Sequence, residues 1–191
     1  MMIRSKILAA TLFLSLSGCV VPTGPVEVTR FNRASEGVTY GSGSYAIEVA
    51  GQGLAASPYL AAVAREMQRV GYNEKPLNPD VTAEVRVNVA DIRPARSPVS
   101  VGVGGSTGSY GSGVGLGLNI DLSGAAKGHV ETTLAVRILR RSDNLVIWEG
   151  KASQTAKAGS PAAQPGIAAS KLAQALFQDF PGVSGETIRV P

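Results

Sequence analysis

Apolar residues recur along this chain with two distinct periods. Val81, Ala83, Val85, Val87 and Val89 alternate strictly with Thr82, Glu84, Arg86 and Asn88, which predicts a strand with one wet face. The same alternation from about His129 to Leu139 puts Thr132, Leu134, Val136 and Ile138 on one side. The turn Ser142-Asp143-Asn144 then leads into Leu145 to Thr155, and the pair reads as an antiparallel hairpin with Trp148 as a core anchor. Shorter alternations place strands at Val26, Val28 and Phe31 and at Tyr45, Ile47 and Val49. Steps of three and four link Leu60, Ala61, Val63, Ala64, Met67 and Val70 into a helix. Ser57 is its N-cap, Pro58 its first position and Gly71 its end, with Arg65, Glu66, Gln68 and Arg69 on the polar face. Asn73 to Asp80 reads as a turn and Ala158 to Pro165 as a loop. A second helix from about Gly166 to Asp179 turns Ile167, Leu172, Leu176 and Phe180 toward the core, and Pro181 stops it. The expected fold class is α+β: a two-layer sandwich in which a mainly antiparallel sheet of about five to six strands is packed by two helices.

Composition changes this picture in one place. A chain of 191 residues has room for one domain with a real core, which excludes a large multidomain enzyme. Eight of the 23 glycines fall between Val101 and Leu118, so the glycine excess is one insertion, at about 94–122, rather than a property of the whole chain. Within it Val99, Val101 and Val103, then Val114, Leu116, Leu118, Ile120 and Leu122, alternate with Gly, Ser and a few polar residues. A hairpin or loop built this way has branched side chains on one face and bare backbone on the other. Glycine weakens such strands by entropy. The same bare face would let another chain approach closely, which makes Val101, Val103, Val114, Leu116 and Leu118 candidate docking positions.

The net charge of +4 raises the question of a nucleic-acid partner. Two of the basic residues, Arg4 and Lys6, open a short basic start followed by the apolar run Ile7 to Leu16, too short to span a bilayer and patterned as a signal peptide. Its removal leaves 16 basic against 14 acidic residues, with only Arg137, Arg140 and Arg141 clustered. These three read as a solvated strand edge, and no nucleic-acid partner is expected.

The run ends in Leu16-Ser17-Gly18-Cys19, which closely resembles the lipobox of bacterial lipoproteins. The resemblance implies signal cleavage between Gly18 and Cys19, a thioether-linked diacylglycerol on the thiol and a further acyl chain, such as palmitate, on the new amino group. Two or more chains give stable anchoring where one gives marginal binding. Cys19 is the sole cysteine, so an exported chain offers it no disulfide partner. Val20, standing where an Asp would retain a lipoprotein at the inner membrane, implies by resemblance the periplasmic face of the outer membrane. The expected organisation is residues 1–18 as signal peptide, 19–25 as lipidated tether and 26–191 as one domain carrying the insertion.

A wider resemblance rests on the helix ending Arg65-Glu66-Met67-Gln68-Arg69-Val70-Gly71-Tyr72 and on Asn78-Pro79-Asp80-Val81 leading into a strand. It extends to Val146-Ile147-Trp148-Glu149-Gly150 and to the closing Asp179-Phe180-Pro181. Together with the lipobox, these segments are similar to the bacterial lipoprotein family known as domain of unknown function 4136, over about Val26 to Val183. The insertion departs from its simplest pattern. The family name implies class and location, and no chemistry.

Candidate chemistry is sparse. Gly51-Gln52-Gly53-Leu54-Ala55-Ala56 matches a dinucleotide fingerprint in pattern, but the next strand begins only after Asp80 and Pro58 follows the glycines. It reads as a strand-to-helix connection, and no cofactor is expected. Gly104-Gly105-Ser106-Thr107-Gly108 matches G-x-S-x-G, with Asp121 and His129 following in hydrolase order. A nucleophile elbow needs a helix behind the serine, and more glycine follows this one. His129, the sole histidine, reads as a strand-edge residue, and no metal site is expected. The leading expectation is a non-enzymatic envelope lipoprotein held to membrane lipid through Cys19, acting as a binding or structural module with an envelope protein as a candidate partner. The alternative is a periplasmic hydrolase using Ser106 or a carboxylate pair such as Glu131 and Glu149.

Overall fold

The computed structural model describes residues 24–33, 38–50, 57–92 and 128–191. The leader, Gly18, Cys19, the Gly51 to Ala56 connection and the whole of 93–127, including Ser106, Asp121, Val101, Val103, Val114, Leu116 and Leu118, lie outside the described residues.

The elements run β1 (Val26–Asn32), β2 (Ser44–Val49), α1 (Ser57–Arg69), β3 (Asn73–Glu74), β4 (Val81–Ile92), β5 (His129–Arg140), β6 (Leu145–Lys157), α2 (Pro165–Phe177) and β7 (Thr187–Val190). The strands form one sheet in the order β3-β2-β4-β5-β6-β1-β7. The fold is α+β, with two helices on a seven-stranded mixed sheet. The sheet exceeds the expected five or six strands because β3 and β7 are short edge strands, too brief to show a period. It is mixed because β2 runs parallel to both β3 and β4, with α1 supplying the crossover that a parallel neighbour requires. The segment expected as a turn before Asp80 thus contains a strand.

Alternation places the core as expected along the central strands. Val81, Ala83 and Val85 from β4, Thr132, Leu134, Val136 and Ile138 from β5, and Trp148 and Ala152 from β6 are all buried. Burying each large apolar side chain contributes about 1.5–3 kcal/mol. Trp148 stacks on Phe177, their ring centroids 5.3 Å apart, and donates from Nε1 to the Pro181 carbonyl at 3.0 Å. Gly150 lies beside this ring because a Cβ there would fall on Trp148 and on Leu176 of α2.

Four expectations are corrected. In β1, Phe31 is 55% exposed, whereas Arg30 is 4% exposed and faces inward. Its guanidinium donates to the carbonyls of Leu176 at 3.0 Å and Ala175 at 2.8 Å, satisfying acceptors that the end of α2 leaves open. In α1 the buried positions are Tyr59, Ala62, Val63, Glu66 and Met67, a stripe rotated toward residues expected on the polar face. The reason is α2: Arg65 donates to Ser170, and Arg69 donates to the Phe177 carbonyl and pairs with Glu66 at 2.6 Å. In α2, Ile167 is 41% exposed. Phe180 lies beyond the helix end but faces the core as expected, against Trp148 and Phe177 and edge-on to Tyr40 and Tyr72. Finally, Arg137 and Arg140 belong to β5, a central strand, so they do not guard a sheet edge. Arg137 bonds Glu84 directly opposite on β4 at 3.1 Å, a cross-strand pair of opposite charge.

Candidate functional site

The register of the sheet separates two ends. Gly24, where the described chain begins, lies beside Thr155 of β6. At that same end Ile92 pairs with His129 and His129 with Lys157, so both flanks of the 93–127 insertion meet there. His129 therefore opens a central strand, at its exposed end, rather than sitting on an edge. At the other end lie the 141–144 turn, the start of β4 and the loop leading into β2. Ile147 is eight residues from Thr155 along β6, about 26 Å at strand rise.

At this second end a cleft of about 570 Å³ opens between the 38–43 loop, the Pro79-Asp80-Val81 entry to β4 and the Arg140-Arg141-Ser142 corner, with Ile147 in its wall. Local sequence builds each wall. Gly41 and Gly71 have φ of +70° and +108°, and a Cβ on either would strike the backbone beside the other, Val70 and Gly41 respectively, so only glycines permit this approach of loop to helix end. The Tyr40 hydroxyl lies 2.8 Å from the Ile147 carbonyl, 2.9 Å from the Arg33 carbonyl and 3.0 Å from the Arg33 N–H, tying the loop to β6 and β1. Burial raises the Tyr40 pKa above its ordinary value, which keeps this phenol protonated.

Asp80 forms the opposite wall. Its Oδ2 accepts from the Ser44 N–H and the Ser44 hydroxyl, both at 2.7 Å. These bonds, with Lys75 as a more remote cation, hold the carboxyl below its usual 3.8. On the neighbouring strand, where Val81 pairs with Arg140, Arg140 is fixed by Asp143, Nε to Oδ1 at 3.1 Å and Nη2 to Oδ2 at 2.7 Å. The hydrogen bonds and charge of Asp143 hold Arg140 protonated, and the same bonds depress the Asp143 carboxyl. Arg141 donates its backbone N–H to the Asp80 carbonyl, while its exposed guanidinium has no ion-pair partner among the described residues. Val38, Pro79, Val81 and Ile147 supply the apolar part of the lining. A smaller depression of about 310 Å³ shares Ile147 and is lined also by Phe31, Arg33 and Glu149.

Few of the sequence candidates meet here. Glu131 pairs across the hairpin with Thr155, and Glu149 with Arg137, so the two carboxylates stand six residues apart along β5, about 20 Å. They form no catalytic pair. Among the described residues no three His, Cys, Asp or Glu side chains gather in a way that could hold a metal ion, and no helix is long and apolar enough to cross a membrane. The cleft instead joins Asp80 of the Asn78-Pro79-Asp80-Val81 segment with the adjacent arginines Arg140 and Arg141. Ser44 carried no visible signal, since its role depends on a partner 36 positions away.

Fold and cleft together define a two-layer α+β domain with a preformed recess at one end of its sheet. The chain belongs to the family described as Domain of unknown function (DUF4136), whose sequence model matches residues 28–182. A stretch of 61 residues is 46% identical to an uncharacterized protein of Zymomonas mobilis subsp. mobilis, covering 32% of this chain and 23% of that protein. The match thus spans about a quarter of that curated relative's length. Among solved structures, a PDZ domain protein from Parabacteroides distasonis superposes with a TM-score of 0.50 at 11% identity, over 87% of this chain and 39% of that one. A PelC dodecamer from Paraburkholderia phytofirmans gives a TM-score of 0.43 at 12% identity, over 78% of this chain and 94% of that one. At such identities the first likeness is one of fold alone.

Proposed function

We propose that this protein is a lipoprotein of the bacterial envelope, held through acylated Cys19 on the periplasmic face of the outer membrane and acting there as a non-enzymatic binding module. The observation that carries the reading is Leu16-Ser17-Gly18-Cys19 at the end of a short apolar run, with Cys19 the sole cysteine of the chain. Acyl chains contribute about 0.8 kcal/mol per buried methylene, and two or more give lasting attachment. The domain geometry suits such a tether. The described chain starts at Gly24, five residues after Cys19, so the sheet end carrying Gly24, Ile92 and His129 lies within about 18 Å of extended chain from the anchor. The cleft lies at the other end of the sheet from Gly24. Val20 after the cysteine supports the outer rather than the inner membrane. Intact mass of the protein purified from bacterial membranes tests the proposal. A chain beginning at Cys19 and carrying a diacylglyceryl and an acyl group is expected; a chain with an unmodified Cys19 overturns it.

A further inference from the structure

The cleft between Asp80 and Arg141 presents an acid and a base that share a recess without pairing. We propose that it binds a zwitterion, specifically a short peptide with free amino and carboxyl ends, its ammonium on Asp80 and its carboxylate on Arg141. The inference rests on the reading of the domain as a binding module and is independent of the lipid anchor.

Three observations carry it. Oδ2 of Asp80 is occupied by the two Ser44 donors, and among the described residues no donor takes Oδ1, which can accept from a ligand. The Arg141 guanidinium is exposed, and no ion pair joins it or Arg140 to Asp80 although all three line the same recess. The Asp80 carboxylate and the Arg141 guanidinium therefore do not neutralise each other by direct contact, and a ligand carrying both signs can engage each. Arg140 is already committed to Asp143, which leaves Arg141 as the guanidinium open to bidentate capture of a carboxylate.

Selectivity follows from the same arrangement. A simple anion drawn to Arg141 meets the Asp80 charge, and a simple cation drawn to Asp80 meets the Arg141 charge; a ligand carrying both signs satisfies both. Val38, Val81 and Ile147 offer apolar surface to a small side chain between the charges. The volume of about 570 Å³ lies within the range typical of small-ligand sites. The walls are also pre-organised by the Ser44, Tyr40 and Asp143 hydrogen bonds, which lowers the ordering cost of binding.

The test is a titration of the full isotope-labelled chain in detergent micelles with alanyl-alanine, N-acetyl-alanyl-alanine and alanyl-alanine amide, read by amide chemical shifts. Saturable shifts at Gly43, Val81, Arg141 and Ser142 are expected with the free dipeptide, weakened about tenfold or more by blocking either end. Arg141→Gln should remove the preference for the free carboxylate, and Asp80→Asn the preference for the free amine, with the remaining spectrum confirming the fold. Equal binding of free and blocked peptides at these residues would overturn the zwitterion while leaving a binding module. No localised shift with any of the three at about 10 mM would overturn both.

Discussion

Ser44 and Asp80 bond each other in both directions. The Ser44 N–H and hydroxyl donate to Oδ2 at 2.7 Å, and the Asp80 N–H lies 3.0 Å from both the Ser44 hydroxyl and the Ser44 carbonyl. This reciprocal clasp seats the start of β2 against the start of β4 and forms one wall of the cleft.

Because these bonds favour the charged carboxylate, the folded pKa of Asp80 lies below its ordinary 3.8. A depressed pKa contributes stability that is present above the unfolded value and lost as pH falls through the folded value. Urea denaturation of the native protein and of Asp80→Asn should therefore show a gap in midpoint at neutral pH that closes below pH 3.8. A gap unchanged across this window would contradict the assignment. Ser44→Ala should raise the Asp80 pKa when it is followed by carboxyl carbon shifts.

Gly150 is required by the ring beside it. Gly150→Ala would push a methyl group onto Trp148 and Leu176, an overpacking expected to cost about 1–3 kcal/mol. Chemical denaturation followed by the fluorescence of Trp148, the single tryptophan, reads this directly.

Arg30 completes α2 from below. Arg30→Met keeps much of the apolar stem but leaves the Ala175 and Leu176 carbonyls without their donors, at an expected cost of about 2 kcal/mol. Hydrogen exchange in the last turn of α2 should quicken more than in α1. Equal exchange in both helices would show that Arg30 contributes only bulk.

How much of this was legible depended on what each residue faces. Val81 to Val85 and Thr132 to Ile138 follow a period of two on the core side, whereas Val89, 52% exposed, and Thr82, buried, depart from the expected one wet face. Arg30 and Phe31 were not legible, since an arginine turns inward only where a helix end offers it carbonyls. The stripe of α1 does not follow residue type, because Arg65 and Arg69, polar by type, reach across to α2. Asp80 and Arg141 could not be joined from sequence at all: their neighbourhood is created by the β4–β5 register that sets Val81 opposite Arg140.

The two ends of the sheet should lie at different heights above a membrane. Labels on Lys157→Cys, at the Gly24 end, and on Arg33→Cys, beside the cleft, are separated by about ten residues of β6, or roughly 33 Å. In vesicles carrying the acylated protein, a lipid-borne quencher should quench the label at 157 far more than the label at 33. Equal quenching would show that the domain lies flat rather than standing on its tether.

Fractionation of cells expressing Cys19→Ser probes the lipid anchor. The native protein is expected in the outer-membrane fraction, resistant to high-salt washing, and the variant released from membranes. Retention of Cys19→Ser in the washed outer membrane at native levels would contradict the anchor.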